Sequence, residues 1–416
     1  MAKMRVKAQL DRAQTKLLDD GVRGVASRVV PFVLASGLSS TVKRRKSRES
    51  FLDISNLEQS DQCHSYFEIG SAHELTQRPP ADTDENPFDN HTHHFDPAFV
   101  CEVKNVTLLT SDAIKLTPSG HVLAEEHYDA MGEARFYSMI YRHVRDRGAS
   151  SLPSLLRTFL FDVSPDPKQT YEHAFPMVGF PMSFYHWVIE FLPRLRLFEA
   201  YSEQTGNRPT LLLPRDPPAY MTEYLHLLGY DEPDWDIFAR DPTVVKKFVH
   251  PSHVRNEHGV PDPAACRWLR ERVLDRLDQR DTTGLPKRLL ISREDARERR
   301  LVNERDVAET LAQFGFERVV LSEYSIPEQI ALFRQADCVI SPHGAGLTNI
   351  IYGEDLTVLE LFSNDFYSHY YTLSNVFGHE YHYYQGKSAH GVDVEIDLGW
   401  IERWVRSQFE SQKHNP

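Results

Sequence analysis

Short apolar runs alternate with amphipathic segments in the C-terminal part of the chain, between residues 287 and 361. Apolar runs bounded by turn residues are typical of buried strands, and the segments between them repeat apolar residues with a helical period. Regular alternation of strand and helix predicts a doubly wound parallel sheet. The predicted strands are 287–292, 318–321, 337–341 and 356–361, and the predicted helices are 303–314, 326–335 and 346–353.

The hydrophobic pattern predicts a second α/β unit upstream. Apolar residues recur on one face of Phe184–Ala200, which indicates an amphipathic helix. Pro193 should bend this helix, because proline cannot donate a hydrogen bond to the carbonyl four residues earlier. The other predicted elements of this unit are strands at Val106–Leu109, Leu211–Leu213 and Val244–Val249 and a helix at Asp262–Gln279.

These elements predict an α/β protein with two α/β units, separated by the turn-rich segment 281–286. The predicted divisions are a basic N-terminal tail (1–50), an irregular segment (51–98), an N-terminal α/β domain (99–280), a C-terminal doubly wound domain (287–390) and a C-terminal segment (391–416) with a helix at Leu398–Phe409.

Charge is distributed unevenly along the 416 residues, whose formal net charge is −13. Residues 1–50 hold twelve Lys/Arg and four Asp/Glu, so that segment carries +8 and the remainder −21. An acidic body argues against nucleic-acid binding. The four cysteines are scattered and form no CxxC pair, which is consistent with a reducing compartment. A cytoplasmic location is therefore expected.

The basic tail surrounds a short apolar run, Val29–Leu38, which is followed directly by Lys43-Arg44-Arg45-Lys46. The run is too short to span a bilayer, which needs about 20 apolar residues. Two interpretations remain open: a flexible or packed basic tail, and a helix that lies peripherally on the cytoplasmic face of an anionic membrane.

A glycine-rich loop follows the strand predicted at 337–341. His343-Gly344-Ala345-Gly346 lies between this strand and the helix that begins near Leu347-Thr348-Asn349. Backbone N–H groups at such a turn, together with the partial positive charge of a helix N-terminus, form a cradle for phosphate or carboxylate. The alternative is a tight turn in which glycine is needed only for its dihedral angles.

Arginines follow the strand at 287–292, and Arg293 lies at its tip after Ser292. Side chains at the carboxyl end of a parallel strand point into the crevice where ligands bind, and the planar guanidinium fork suits phosphate oxygens. Arg299 and Arg300 are further candidates. The alternative for these arginines is a solvated helix face with intrahelical ion pairs.

Polar residues form a stripe on the predicted helix Phe184–Ala200. His186, Glu190 and Arg194 are spaced by four residues, so they lie on one face. Such a pair of imidazole and carboxylate could face a cleft as a general base. The spacing by itself favours the simpler interpretation, a mutually bonded trio on the helix surface.

Two patterns suggest metal binding, and neither is specific. His91, His93 and His94 cluster in a segment for which no second ligand-bearing segment can be identified, so a solvated loop is the better interpretation. Asp234-x-Asp236 lies in a loop remote from the glycine-rich loop. No metal site is predicted.

Several linked motifs resemble glycosyltransferase family 61, and they occur in order between about Val178 and Phe362. Residues 1–100 carry none of them. That family includes capsular-polysaccharide-type enzymes of prokaryotes and eukaryotic transferases that act on glycoproteins and plant xylan. The motifs are Ser292-Arg293-x-x-Ala296-Arg297-x-Arg299-Arg300-x-x-Asn303-Glu304, then Glu328-Gln329, then Pro342-His343-Gly344-Ala345-Gly346-Leu347-Thr348-Asn349, then Glu360-Leu361, and upstream Phe184-Tyr185-His186-Trp187-Val188-Ile189-Glu190-Phe191-Leu192-Pro193-Arg194-Leu195.

The resemblance implies a GT-B-like architecture of two facing Rossmann-like domains and an inverting, metal-independent transfer of sugar. The expected donor is a nucleotide sugar of the UDP type, and no cofactor is expected beyond this co-substrate. The expected acceptor is a hydroxyl of a glycan, a lipid-linked saccharide or a protein. The resemblance suggests Glu190, His186 and His343 as catalytic candidates, and Ser292, Arg293, Arg299, Arg300, Gly344, Ala345, Gly346, Leu347, Thr348, Asn349 and Glu360 as the donor-binding residues.

The rival interpretation is a nucleotide- or phosphate-binding module without chemistry on the same scaffold. An NAD-dependent oxidoreductase is less well supported, because no Gly-x-Gly-x-x-Gly motif opens the C-terminal domain. A transferase additionally needs a carboxylate or imidazole across the cleft from the glycine-rich loop.

Overall fold

The computed structural model describes residues 51–52, 63–81, 86–88, 91–109, 113–119, 122–123, 167–179, 181–238, 242–256, 258–277, 284–389 and 391–409. The basic tail and its proposed membrane-surface helix lie outside the described residues. No helix within the described ranges combines the length and the apolar character needed to cross a bilayer.

The strands form two main sheets and two small hairpins. The strands of the first sheet and the hairpin beside it are β1 (Phe51–Leu52), β2 (Cys63–Ile69), β3 (His73–Thr76), β4 (Thr92–Phe95), β5 (Ala98–Leu109), β6 (Ile114–Leu116), β7 (Val122–Leu123), β8 (Gln169–Pro176), β9 (Thr210–Leu213), β10 (Trp235–Ile237) and β11 (Thr243–Pro251). The C-terminal strands are β12 (Arg288–Ile291), β13 (Phe316–Val319), β14 (Cys338–Pro342), β15 (Thr357–Phe362), β16 (Glu380–Gln385), β17 (Lys387–Ala389) and β18 (Asp393–Glu395).

The first sheet is mixed rather than wholly parallel. Its order is β1-β7-β6-β5-β11-β8-β9-β10, with β2 paired to β5. The pairs β11–β8, β8–β9 and β9–β10 are parallel, whereas β5 runs antiparallel to β11. The N-terminal unit therefore has a Rossmann-like parallel half that continues into a half with mostly antiparallel pairs, in which β1 and β7 alone run parallel among the described strands. The carboxyl ends of β8 and β11 lie side by side where the strand order changes direction.

The expectation that residues 51–98 are irregular is wrong for the described parts of that segment. Strand β2 pairs antiparallel with β5, and β3 and β4 form a hairpin. The side chains of β2 are mostly half-buried, so the strand lacks the continuous apolar run that marks a central strand in the sequence.

The second sheet is parallel throughout, as predicted. Its order is β13-β12-β14-β15-β16. The order changes direction at β12, which has β13 on one side and β14 on the other. Ligands of open α/β sheets bind outside the carboxyl ends of the strands at such a point. The residues after β12 and β14 are therefore well placed for a site, and these are Arg293 and His343.

In the N-terminal unit the helix Ala219–Leu228 was not predicted. In the C-terminal unit the helices follow the prediction closely, with two differences. The segment Ala345–Tyr352 is a 3₁₀-helix, and His369–Phe377 is a helix within a stretch whose apolar pattern predicts no element. The remaining α-helices of the described residues are Leu195–Thr205, Ala219–Leu228, Pro263–Arg276, Glu304–Ala312, Ile326–Gln335 and Leu398–Phe409, and short 3₁₀ turns occupy Glu232–Asp234 and Leu321–Glu323.

The helix predicted at Phe184–Ala200 is interrupted between Trp187 and Arg194, a stretch that includes Pro193. The chain forms one α-turn at Phe184–His186, a π-helical turn at Trp187–Phe191, a 3₁₀ turn at Leu192–Arg194 and then the α-helix Leu195–Thr205. The Leu192 N–H bonds to the Trp187 carbonyl in the wider π pattern. The Arg194 side chain donates from Nε to the Glu190 carbonyl at 3.0 Å. Such π-turns are frequent at functional sites.

One hydrophobic core extends across both units. The same cluster of buried residues includes Trp187 and Leu269 from the N-terminal unit and Ile351 and Val358 from the C-terminal unit. Polar contacts also join the units. The Ile326 N–H donates to Glu223 Oε2 at 3.0 Å, and Arg267 Nη2 donates to the Val376 carbonyl at 3.1 Å. The Tyr352 and Tyr224 hydroxyls are 3.1 Å apart. The two units are packed as one body, and the candidate site lies where they meet.

Candidate functional site

Arg293 and Gly344 lie against each other at the carboxyl ends of β12 and β14. A Cβ atom added to Gly344 would overlap Nη1 of Arg293. Gly344 has an extended backbone with φ of 179°, so any residue could adopt its dihedral angles. Glycine is needed here because the guanidinium occupies the space of a side chain.

The Arg293 side chain is held by its own loop. Nε donates to the Arg299 carbonyl at 3.1 Å, and Nη2 donates to the Glu298 carbonyl at 3.0 Å. Nη1, which faces Gly344, has no hydrogen-bond partner among the described residues. Burial and the nearby Arg299 lower the pKa of Arg293, but a guanidinium stays charged at physiological pH. A fixed positive charge with a free donor therefore lies over the glycine-rich loop.

The first turn of the 3₁₀-helix Ala345–Tyr352 begins beside this charge. The Leu347 N–H bonds to the Gly344 carbonyl at 3.0 Å. The first N–H groups of a helix have no partner within the helix. Gly346 packs closely against the Leu321 side chain, with no room for a Cβ. The Arg293 guanidinium therefore lies beside a helix N-terminus, and both groups favour negative charge.

The side chains of Leu347, Thr348 and Asn349 are buried and hold the 3₁₀-helix in place. Asn349 Nδ2 donates to Gln329 Oε1 at 3.0 Å, and Gln329 Nε2 in turn donates to the Leu321 carbonyl at 2.9 Å. Ala345 and Gly346, at the start of this helix, are partly exposed, so a ligand would meet the helix there.

The other predicted donor-binding side chains separate into two groups. Arg299 has a left-handed backbone with φ of 60°, and its guanidinium carbon lies 5.2 Å from the ring centroid of Tyr367, close to His343. Arg300 instead pairs with the buried Asp393, because Nε and Nη2 both donate to Oδ2, at 3.1 and 2.9 Å, and the Arg300 backbone N–H donates to Oδ1 at 2.9 Å. Arg300 is thus committed to Asp393.

Ser292 also faces away from Gly344. Its hydroxyl donates to Glu304 Oε1 at 2.7 Å and accepts from Arg318 Nη2 at 3.0 Å. The structure therefore brings Arg293, Arg299 and the glycine-rich loop together, and it places the side chains of Ser292 and Arg300 in structural ion-pair networks.

His343 and Glu360 form a buried dyad. His343 Nδ1 lies 2.5 Å from Glu360 Oε1, and the Tyr381 hydroxyl donates to Glu360 Oε2 at 2.6 Å. The His343 ring is stacked on Tyr367 at a centroid distance of 4.6 Å. Glu360 was predicted to bind the donor, but its side chain is 0% exposed and both oxygens are bonded within the protein. The structure gives this carboxylate the role of orienting His343.

His186 and Glu190 form a second dyad on the N-terminal side. His186 Nδ1 lies 2.8 Å from Glu190 Oε1, and Arg255 Nη1 lies 3.4 Å from the same oxygen. The segment with Glu190 follows β8 and Arg255 follows β11, so the parallel pairing of these strands brings the residues together. Arg255 was missed by the sequence analysis; its only signal is an arginine shortly after a predicted strand.

His369 lies between the two dyads. Its ring centroid is 4.8 Å from that of Tyr185 and 5.8 Å from that of His343. Burial, His343 and His186 lower the pKa of His369 to about 4, while Glu190 acts in the opposite direction. The dyads are therefore close enough to share one electrostatic environment. His369 was missed by the sequence analysis, because its position in an aromatic-rich stretch is its only signal.

The residues considered for metal binding have protein partners instead. Within the described ranges, no group of three or more His, Cys, Asp or Glu is arranged to hold a metal ion. His93 Nε2 lies 3.2 Å from Gln77 Oε1. Asp234 pairs with Arg208 at 2.9 Å, and Asp236 accepts from the Tyr171 hydroxyl at 2.8 Å.

Comparisons with known proteins agree with the motifs in the sequence. The family model described as Glycosyltransferase 61 matches residues 184–359, a range that contains the His186–Glu190 dyad, Arg293, the glycine-rich loop and His343, and that ends one residue before Glu360. The chain is also 28% identical over 214 residues to Beta-1,2-xylosyltransferase XAX1 of Oryza sativa subsp. japonica. That alignment covers 45% of this chain and 36% of the relative, so the chain matches about a third of the rice protein. The predicted resemblance to the family is confirmed, and both matches support the predicted enzyme class.

Proposed function

We propose, from the match of residues 184–359 to the Glycosyltransferase 61 family model, that this protein transfers a sugar from a nucleotide sugar to a hydroxyl group, with inversion and without a metal ion. The proposed donor is a UDP-sugar, and the proposed acceptor is a glycan, a lipid-linked saccharide or a protein. The observation that carries the proposal is the packing of the Arg293 guanidinium on the backbone of Gly344, beside two histidine–carboxylate dyads.

The proposed donor site is the crevice outside β12 and β14. Glycosyl transfer develops positive charge at the anomeric carbon and negative charge on the departing diphosphate. Arg293, Arg299 and the first N–H groups of Ala345–Tyr352 would stabilise that negative charge with donors already in place. These groups can fill the role that a divalent cation has in other transferases. The two α/β units would then act as the facing domains of a GT-B-like enzyme.

The proposed acceptor side is the dyad of His186 and Glu190. An attacking hydroxyl needs a group that accepts its proton. The His186–Glu190 dyad belongs to the N-terminal unit, across the junction from Arg293. His343 directly precedes Gly344, which makes it better suited to contact the donor phosphate. In a single displacement, the hydroxyl oxygen bonds to the anomeric carbon, the bond to the diphosphate breaks, and the hydroxyl proton passes to the dyad.

Donor binding is tested by replacing Arg293 with Ala. Loss of one charge-assisted contact should weaken UDP binding roughly 10- to 100-fold, because hydrogen bonds to charged groups contribute about 1.5–3 kcal/mol. Isothermal titration with UDP, GDP, UDP-sugars and NAD measures the effect. The matched control is Arg305→Ala, which removes an exposed arginine paired only with Glu309. Unchanged UDP affinity in Arg293→Ala, or binding of NAD in preference to UDP, would contradict the proposal.

The chemical step is tested by Glu190→Gln. This change keeps the shape of the side chain and removes its charge, so turnover should fall roughly 100-fold or more while UDP binding changes little. Glu199→Gln is the control, because Glu199 is a carboxylate of the adjoining helix Leu195–Thr205 that also pairs with an arginine, Arg272 at 2.9 Å. Proton NMR of the first-formed product reports the anomeric configuration. Full activity of Glu190→Gln would remove it as the base, and a retained configuration would exclude single displacement.

The same experiments distinguish the proposed transferase from a nucleotide-binding module that catalyses no reaction. Such a protein would bind UDP through Arg293 and yet neither transfer nor hydrolyse any sugar of a donor panel. The second dyad favours the enzyme, since a sensor has no need of an imidazole–carboxylate pair across the junction.

A further inference from the structure

His369 is a half-buried histidine at the junction of the two units, and neither dyad includes it. It is the first residue of the helix His369–Phe377, after Ser368. Its ring lies edge-on to Tyr185 of the N-terminal unit, with an interplanar angle of 86°. On its other side are His343 and Tyr367, at centroid distances of 5.8 and 6.1 Å.

The ring is held by aromatic packing rather than by hydrogen bonds. Its Nδ1 atom is buried and has no hydrogen-bond partner among the described residues. A buried polar group of a native protein normally has a partner, so an orphaned nitrogen in a candidate site suggests that a ligand supplies one. The orientation of His369 is thus fixed without the use of this nitrogen.

The groups around His369 keep its imidazole neutral. Burial disfavours the imidazolium, and His343, His186 and Arg299 disfavour it further, against the opposing Glu190. The partial positive charge at the start of a helix acts in the same direction. A neutral imidazole both donates and accepts a hydrogen bond, as a sugar hydroxyl does. A charged phosphate, by contrast, binds more strongly to the Arg293 guanidinium than to a neutral imidazole.

We propose that His369 is a further substrate-contacting residue, which hydrogen-bonds a sugar hydroxyl between the His186–Glu190 and His343–Glu360 dyads. This inference rests on the proposed transferase function. The hydroxyl belongs either to the sugar of the donor or to the acceptor, since His369 touches elements of both units.

Two substitutions separate this role from a purely structural one. His369→Phe keeps a flat ring against Tyr185 and removes both nitrogens, whereas His369→Gln keeps a donor and an acceptor and loses the ring. If His369 binds a hydroxyl, the Phe variant should lose roughly tenfold or more in kcat/KM and the Gln variant should recover part of that loss. A structural role predicts the reverse order. His226→Phe, at an exposed position of the helix Ala219–Leu228, is the matched control.

Binding measurements show whether the hydroxyl belongs to the donor or to the acceptor. They also do not depend on the proposed reaction. Titrations use UDP alone and then UDP-xylose, UDP-glucose and UDP-N-acetylglucosamine. Weaker binding of a UDP-sugar by His369→Phe, with unchanged UDP binding, places the hydroxyl on the donor. A raised acceptor KM with unchanged donor binding places it on the acceptor.

The inference is overturned if His369→Phe matches the wild type in all these measurements, or if it weakens UDP and UDP-sugars equally. Failure of the proposed function has a different signature, because the wild type itself would then bind no UDP or transfer no sugar.

Discussion

At the scale of single residues, the site depends on which polar atoms remain available to a ligand. Arg293 uses two of its nitrogens on the carbonyls of its own loop and keeps Nη1 over Gly344. Glu360 uses both oxygens within the protein, so it acts on a ligand only through His343. Hydrogen bonds to the protein thus fix the orientation of Arg293 and of His343, and they leave Nη1 of Arg293 directed at Gly344.

Gly344→Ala tests the close approach of Arg293 to the backbone. The new methyl group would occupy the position of Nη1, so the guanidinium must move and UDP binding should weaken about tenfold or more. Isothermal titration with UDP measures the change. Gly399→Ala serves as the control, because a Cβ there meets only flexible side chains at 3.2 and 3.3 Å. Wild-type affinity in Gly344→Ala would show that the position of Arg293 does not matter for binding.

At the scale of elements, the 3₁₀-helix Ala345–Tyr352 is held at both ends. Asn349 fixes it to the helix Ile326–Gln335 through Gln329. His379 fixes its last turn, since Nε2 donates to the Ile350 carbonyl at 2.8 Å and Nδ1 accepts from the Leu356 N–H at 3.3 Å. The second bond requires an unprotonated Nδ1, so this connection depends on a neutral imidazole.

Stability should fall in acid as His379 becomes protonated. Burial lowers the pKa of His379 to about 4, from the ordinary value of 6.5. The unfolded chain therefore binds a proton before the folded chain does, and stability is lost as the pH falls from 6.5 towards 4. A difference of that size corresponds to about 3 kcal/mol of unfolding free energy.

Urea unfolding at a series of pH values measures this contribution. His379→Gln should be less stable than the wild type at pH 7.5, and its stability should depend less on pH between 6.5 and 4. His226→Gln, at an exposed position, controls for removal of a histidine. Parallel pH profiles for His379→Gln and the wild type would refute the assignment.

At the scale of the whole molecule, the two units share a core, so they should unfold together. Ile351 is fully buried in the cluster that contains residues of both units. Ile351→Ala should lower the unfolding free energy by about 2–5 kcal/mol, the cost of removing a large buried aliphatic side chain.

Hydrogen exchange read by mass spectrometry follows peptides from β8 and β14 separately. Global exchange should accelerate equally in both, because a shared core makes unfolding cooperative. Val302→Ala is the control, at a position 44% exposed, and should change stability by less than about 0.5 kcal/mol. Acceleration confined to β14 would mean that the units unfold independently.

The sequence determined the C-terminal sheet and the core of the site. Strands and helices of a parallel sheet differ in hydrophobic period, so their alternation was visible over residues 287–361. Residues that follow neighbouring parallel strands meet at one edge, which is why Arg293 and Gly344 could be predicted to converge. His186 and Glu190 are one helical turn apart, and their contact was also a local consequence of the sequence.

The tertiary structure alone decided the contacts between segments distant along the chain. Arg300 pairs with Asp393, Arg255 reaches Glu190, and His369 lies between the dyads, although none of these contacts has a local pattern. Burial decided the role of Glu360 in the same way, because whether a carboxylate faces a ligand or a neighbouring imidazole depends on what packs above it. Local periodicity specifies elements, whereas the choice of partner for each polar side chain depends on how those elements pack.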